Sequence, residues 1–302
     1  MTETRSSAPT RTSADPARWL GKALAGLLLA FFVVFFTLPV IWLVLAPAKS
    51  AHQLYFDNPL GIGNVNSLID NWNQLLGFQQ GQFFVWMGDS VMYSGAALVI
   101  TLFVTIPAGY ALATSTFRLR RPLLITTLIV MLIPGTALVL PTFLELNAAR
   151  LIGSPLAVIM PFSFFPFGVY LTYIYFSTNV SRDLLDAARI DGATELRVFG
   201  RIALPLATPV VALVGFFSVV GTWNNYFLPF LVLPSRITTV QVGLSQMMSN
   251  VRQLRPTSLG SIAIDLPVMS DAILLSVAPV LLIFLFSQRF LITGLTAGGS
   301  KE

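Results

Sequence analysis

The chain has 302 residues, 55% of them hydrophobic and only 10% charged, with a mean hydropathy of +0.77. Soluble domains carry about 25% charged residues, so this composition excludes a water-soluble globule and indicates an integral membrane protein. The lack of cysteine and the single histidine, His52, exclude disulfides, Cys-based zinc sites and histidine clusters, and a net charge of +5 scattered through short loops is no nucleic-acid-binding face.

Residues 1–16, rich in Ser, Thr, Pro, Ala and Arg without periodicity, read as a disordered tail, and the membrane unit is expected over 17–302. The apolar runs that follow are far longer than the roughly 10-residue alternating segments of a membrane barrel. A spanning helix needs about 20 apolar residues, and six are predicted: 24–46, 91–113, 122–145, 155–176, 208–233 and 269–291. The first is followed by Ala46-Pro47-Ala48, which imitates a cleavage site, but its run exceeds the roughly 7–15 residues of a signal-peptide core. It reads as a retained helix, and His52 beyond it as a plain loop residue. The outer segment 47–90, with Tyr55, Trp72, Trp86 and several Asn, is too short for a soluble domain and predicts caps and short interfacial helices.

After the second span, the short loop Arg118-Leu119-Arg120-Arg121 sets the orientation, because lysine and arginine next to helix ends stay inside. Most of the other basic residues fall on the same side, which places both termini in the cytoplasm. Arg236, Arg252 and Arg255 in the last outer loop, 234–268, oppose the rule only weakly. Pro134-Gly135 predicts a kink in the third span. Pro161 and Pro166 predict kinks in the fourth, whose Phe162-Ser163-Phe164-Phe165-Pro166-Phe167 run and Tyr170, Tyr173 and Tyr175 suit packing and lipid contact.

The inner loop 177–207 has its own pattern. Ser181 is an N-cap candidate with Asp183 in the first turn; Leu184, Leu185 and Ala188 make a narrow apolar stripe. Gly192 suits a left-handed C′ position. A second short helix should carry Leu196, Phe199, Ile202 and Ala203 on one side and end at Pro205. Such a segment either lies on the inner leaflet or docks on a partner. In the fifth span Thr222, Asn224, Asn225 and Tyr226 interrupt the apolar run. Trp223 and Tyr226, three apart, would be neighbours on a continuous helix, and aromatic faces beside amides suit a sugar, as they also suit interhelix packing. Carboxylates are confined to span ends (Glu145, Asp271), which argues against proton or sodium coupling. With no G-x4-G-K-[ST] and no nucleophile–base constellation, the chain has neither an ATP site nor an enzyme centre.

The stretch Asp186-Ala187-Ala188-x3-Gly192-x9-Ile202-x-Leu204-Pro205 resembles the EAA loop of ABC-importer permeases, E-A-A-x3-G-x9-I-x-L-P, with Asp186 in place of Glu. Asp191-Gly192-Ala193 resembles the carbohydrate-importing, maltose-type branch. So do Ala108-Gly109-Tyr110-Ala111-Leu112-Ala113 with Phe117-Arg118-x-Arg120-Arg121, and Trp223-Asn224-Asn225-Tyr226, where the branch has W-N-[ED]-[FY]. Asp89-Ser90 stands where the branch often has Asn-Ser, and the tail from Phe290 to Gly299 resembles F-x-x-G-L-T-x-G-A. The resemblance implies an all-α, six-span type I importer permease bundle with cytoplasmic coupling helices in the inner membrane. It implies that Asp186, Ala187, Ala188, Asp191, Gly192, Ala193, Phe199 and Pro205, within 181–205, couple the chain to ATPase subunits. Trp223, Asn224, Asn225 and Tyr226 are the expected substrate-pathway residues. Implied partners are a second homologous permease, two ABC ATPases that bind ATP and Mg, an extracytoplasmic solute-binding protein that would meet the 234–268 loop, and membrane lipid. No cofactor and no nucleic acid belong to this chain. The solute expected is a mono-, di- or oligosaccharide. The alternatives are an ABC permease for glycerol phosphate, an amino acid or an opine, and an ATP-independent carrier or channel.

Overall fold

The structure is a computed structural model that describes residues 16–252 and 263–296. The expected tail, the middle of the last outer loop and the end of the C-terminal motif lie outside the described residues. Among those described, all regular structure is helical apart from an isolated Val251–Ile264 bridge.

The first apolar run forms α1 (Pro16–Leu45), whose side chains from Leu20 through Ile41 face outward, away from the rest of the fold. Phe31 and Phe35, and Phe32 and Phe36, stack along it at ring separations of 5.9 and 6.2 Å. The outer segment is helical as expected, with α2 (Ala51–Phe56) and α3 (Val65–Gly77). Ser50 and Gln53 form a reciprocal capping box at α2, and Asn64 caps α3. His52 sits in α2, not in a loop, with its ring 4.8 Å from that of Phe56. The unit is locked from inside. Lys49 is 2% exposed and donates its Nζ to the carbonyls of Asn58 and Pro59 at 2.9 and 2.8 Å. Asn71 Nδ2 donates to those of Pro47 and Lys49.

The second span is α4 (Gln82–Thr114), which starts before the predicted 91 and so takes Asp89-Ser90 into a helix. The third is two helices, α5 (Arg120–Leu132) and α6 (Val139–Ala148). They are bent by 98° across Ile133, Pro134 and a short 3-10 turn, so 122–145 is no single straight span. The fourth divides into α7 (Leu156–Ser163) and α8 (Pro166–Asn179). Pro161 stays within α7. The break comes at Phe164-Phe165 because Pro166 occupies the first turn of α8, where its missing N–H costs nothing, while the residue before a proline is driven out of the helical region.

The inner loop forms α9 (Arg182–Ile190) and α10 (Glu195–Val198), then a π-turn over Phe199–Ala203 and α11 (Leu204–Leu206). After a 78° bend at Ala207 the fifth span begins as α12 (Thr208–Trp223). It breaks at Asn224–Tyr226 and resumes as α13 (Phe227–Val232). The last described helices are α14 (Val240–Met248), within the 234–268 segment, and α15 (Leu266–Thr296). Among the described residues, four helical stretches are each long and apolar enough to cross a bilayer, or up to six if each bent pair is one span.

The centre of the bundle is α4, which packs on α7, α8 and α12, and α12 in turn packs on α15. α4 and α8 cross closely at Gly109. A Cβ there would lie 2.5 Å from Thr172 Cβ and Cγ2 and 2.9 Å from the Tyr173 nitrogen. Only glycine lets α4 and α8 approach this closely.

Candidate functional site

The inner hairpin is built from α9 outward. Ser181 takes extended N-cap angles (φ −64°, ψ 130°), but its side chain makes no capping bond, contrary to expectation. The other end of α9 matches the pattern read from Gly192. That residue has φ +82° and donates to Arg189 O at 3.1 Å, and Ala193 N donates to Ala188 O at 3.0 Å. These two bonds are the Schellman closure, which needs a left-handed residue between them. Their effect is to reverse the chain within four residues and set α10 beside α9.

Apolar residues on the hairpin divide into two sets. Leu185, Val198 and Ala203 are buried in one cluster with Ile106, Tyr110 and Ala113 of α4, Phe176 of α8 and Val210 of α12; Ala188, Ala193, Phe199 and Ile202 pack partly against it. Leu184 is outside the expected stripe and half exposed. Leu196 is 85% exposed, so the inward face of the second helix is carried by Val198 in its place, and Ile190 is 86% exposed. Nor does Pro205 end that helix. Leu204 N reaches back five residues to Phe199 O, and this wider turn lets the chain continue helical through the proline to Leu206.

An ion network that the sequence reading missed ties the hairpin to α4. Arg189 Nη1 meets Asp186 Oδ1 at 2.6 Å, and its Nη2 and Nε donate to Glu195 Oε1 and Oε2 at 3.0 and 3.1 Å. The Tyr110 hydroxyl donates to the same Glu195 Oε1 at 2.6 Å, and its ring lies 5.0 Å from that of Phe199. Hydrogen bonds from Arg189 and then from Tyr110 hold the Glu195 carboxyl below its usual range. Those from Glu195 and Asp186 push Arg189 upward. Nearby, Arg120 Nε donates to Leu112 O at 2.6 Å, and Arg182 Nη2 reaches Ala113 O at 3.4 Å, so cations occupy the carbonyl end of α4. The sequence held signals for this: Asp186 and Arg189 are one turn apart, and Tyr110 belonged to a motif whose role was unassigned.

Asp186, Ala187, Asp191, Gly192 and Pro205 are exposed. Together with Ile190 and Leu196 they give the hairpin an outer face of large apolar side chains on a charged ground, which is the character of a docking surface. Ala188, Ala193 and Phe199 lie instead on the inner side, against the bundle.

The four fifth-span residues do not share one helix face, because the helix stops between them. Trp223 is buried at 3% exposure, and its indole N–H donates to Ser276 O of α15 at 3.1 Å. Asn224 closes α12 and is exposed. Tyr226 stacks on Phe230 at 5.4 Å and accepts from Ser245 Oγ at 3.4 Å. Asn225 faces a cavity of about 740 Å³ between α5, α6, α7, α8 and α13. Its Oδ1 accepts from Leu228 N at 3.3 Å.

Comparison with known proteins agrees with this geometry. Residues 105–296 match the family described as binding-protein-dependent transport system inner membrane component. The chain is 32% identical to the arabinooligosaccharides transport system permease protein AraQ of Bacillus subtilis, over 87% of this chain and 90% of that one. Identity to the protein of the same name from Halalkalibacterium halodurans is 30%, over 90% and 93%. It is 29% identical to the maltodextrin transport system permease protein MdxG of Bacillus subtilis, over 96% and 99%. Among solved structures, a chain of a bacterial ABC transporter involved in the import of the acidic polysaccharide alginate superposes with a TM-score of 0.79. That match covers 93% of this chain and 99% of the other at 22% identity, which carries the fold.

Proposed function

The chain belongs to the binding-protein-dependent transport system inner membrane components, and from that premise we propose that it is the permease subunit through which an ATP-driven importer passes a sugar. It is a transport component of an ABC system, not an enzyme, and it works with other subunits of that system. The sugar reading rests on relatives whose names specify arabinooligosaccharides and maltodextrin. The assembly proposed is this chain, a second related permease, two ATPase subunits that bind ATP and Mg, and an extracytoplasmic binding protein that touches the 234–268 segment. In the membrane, six spans place both termini in the cytoplasm.

The observation that carries the coupling role is the two-sided hairpin. Its inner side shares a buried cluster with α4, α8 and α12 and is bonded to α4 through Tyr110 and Glu195. Its outer side presents Ile190 and Leu196 with no cover. A movement of an ATPase gripping the outer side would therefore be passed to three helices at once through packed contacts. Asp186 acts within the hairpin, fixing Arg189, while Asp191, Gly192 and Ala193 fix the turn.

The test is ATP hydrolysis and solute uptake by the complete complex in lipid, with its binding protein and a panel of mono-, di- and oligosaccharides. Stimulation by a saccharide, lost on Ile190→Asp with the chain still in the membrane, is the expected result. Stimulation only by a non-sugar solute would leave the importer and remove the sugar; uptake without ATP hydrolysis would remove both.

A further inference from the structure

Three helices are interrupted in this bundle, and the three interruptions meet. The cavity of about 740 Å³ is walled by Ile133 and Gly135 from the α5–α6 break, by Phe164 and Phe165 from the α7–α8 break, and by Asn225 from the α12–α13 break. Each break frees backbone donors and acceptors from helical pairing. At membrane depth such backbone is tolerated where it lines a cavity and not where it faces lipid. The volume is within the roughly 300–1,000 Å³ of small-molecule sites, and the lining has their usual make-up, mostly apolar and aromatic with a few convergent polar groups.

Those polar groups are Thr142, Glu145 and Asn225. Thr142 and Glu145 are one turn apart on α6, so they share a face. Glu145 is the one charged residue in the lining, no lysine or arginine is there, and its carboxylate has no hydrogen-bond or ion-pair partner among the described residues. We propose that this cavity is a subsite for an uncharged saccharide, in which Glu145 accepts sugar hydroxyls and repels uronic-acid units. The proposal deepens the sugar reading above and rests on it. Phe162, Phe164 and Phe165 supply apolar faces for the C–H patches of a pyranose. Asn225 keeps its amide N–H available to the remaining hydroxyls, since its oxygen already accepts from Leu228 N. An ionised uronate would meet a carboxylate with no basic residue in the lining to offset the repulsion.

The experiment uses the complete complex in lipid at saturating loaded binding protein. The parent should import a neutral oligosaccharide and discriminate against its uronate-bearing counterpart. Glu145→Gln should lower uptake of the neutral sugar about tenfold, the worth of one hydrogen bond to a charged acceptor, with membrane abundance unchanged. Because the chain has no cysteine, Thr142→Cys gives this subunit a single thiol, and the neutral sugar should shield it from a thiol reagent during turnover. Equal uptake of the uronate, an unaffected Glu145→Gln, or a thiol shielded equally with and without sugar (the mark of a lipid-filled groove) would each overturn the assignment. If every saccharide failed while a non-sugar solute drove ATP hydrolysis, the broader sugar reading would have failed first.

Discussion

Gly192 offers the sharpest separation of backbone from side-chain effects. Its φ is +82°, and an added Cβ would meet no atom within 4 Å. Gly192→Ala therefore carries a conformational penalty alone, about 1–2 kcal/mol for a left-handed L-residue, or a factor of about 5–30 in the occupancy of the turn. Gly192→Pro is different in kind. Proline holds φ near −65°, far from +82°, and removes the N–H that bonds Arg189 O, so the turn between α9 and α10 cannot form. Both variants leave the cluster residues of α4, α8 and α12 unaltered and should insert normally. In the reconstituted complex, uptake per ATP hydrolysed is expected to fall severalfold for Ala and to vanish for Pro. Wild-type coupling by Gly192→Pro, or equal damage from the two substitutions, would refute the claim that this turn geometry transmits motion.

Tyr110→Phe keeps the ring against Phe199 but removes the bond to Glu195. Since Glu195 is half exposed, the cost should be only about 1 kcal/mol, seen as lower uptake per ATP with unchanged abundance. The depressed Glu195 carboxyl stabilises this link above its unfolded titration range. The contribution is lost as pH falls through the still lower folded value, so coupling should hold at neutral pH and weaken only on acidification, and Glu195→Gln should abolish that dependence. Gly109→Ala forces a methyl against Thr172 and the Tyr173 backbone and should destabilise by about 1–3 kcal/mol, measured as a lower melting temperature in detergent. Trp223→Phe preserves most of the packing and removes only the bond to Ser276, so the relative uptake of different solutes should not change; a shift in that ranking would return Trp223 to the pathway.

What the sequence determined was whatever depends on neighbours in the chain. Apolar runs marked the membrane helices, Pro134-Gly135 marked a break, and Gly192 marked a left-handed turn, because each signal acts within a few residues. The same reasoning failed wherever a distant contact decided. Leu196 fits an amphipathic stripe as well as Val198 does, and only the docking of the hairpin under α4 and α8 selected Val198. Trp223 and Tyr226 would be helical neighbours had the helix not stopped at Asn224. Tyr110 and Glu195 are far apart in the chain, so their bond exists only because α4 ends above the hairpin. Most of all, no local pattern reveals that three helix breaks, each visible as a proline, glycine or asparagine interruption, open on one cavity beside Glu145. Their convergence is fixed by the packing angles of α5 to α8 and α13, which belong to the tertiary structure alone.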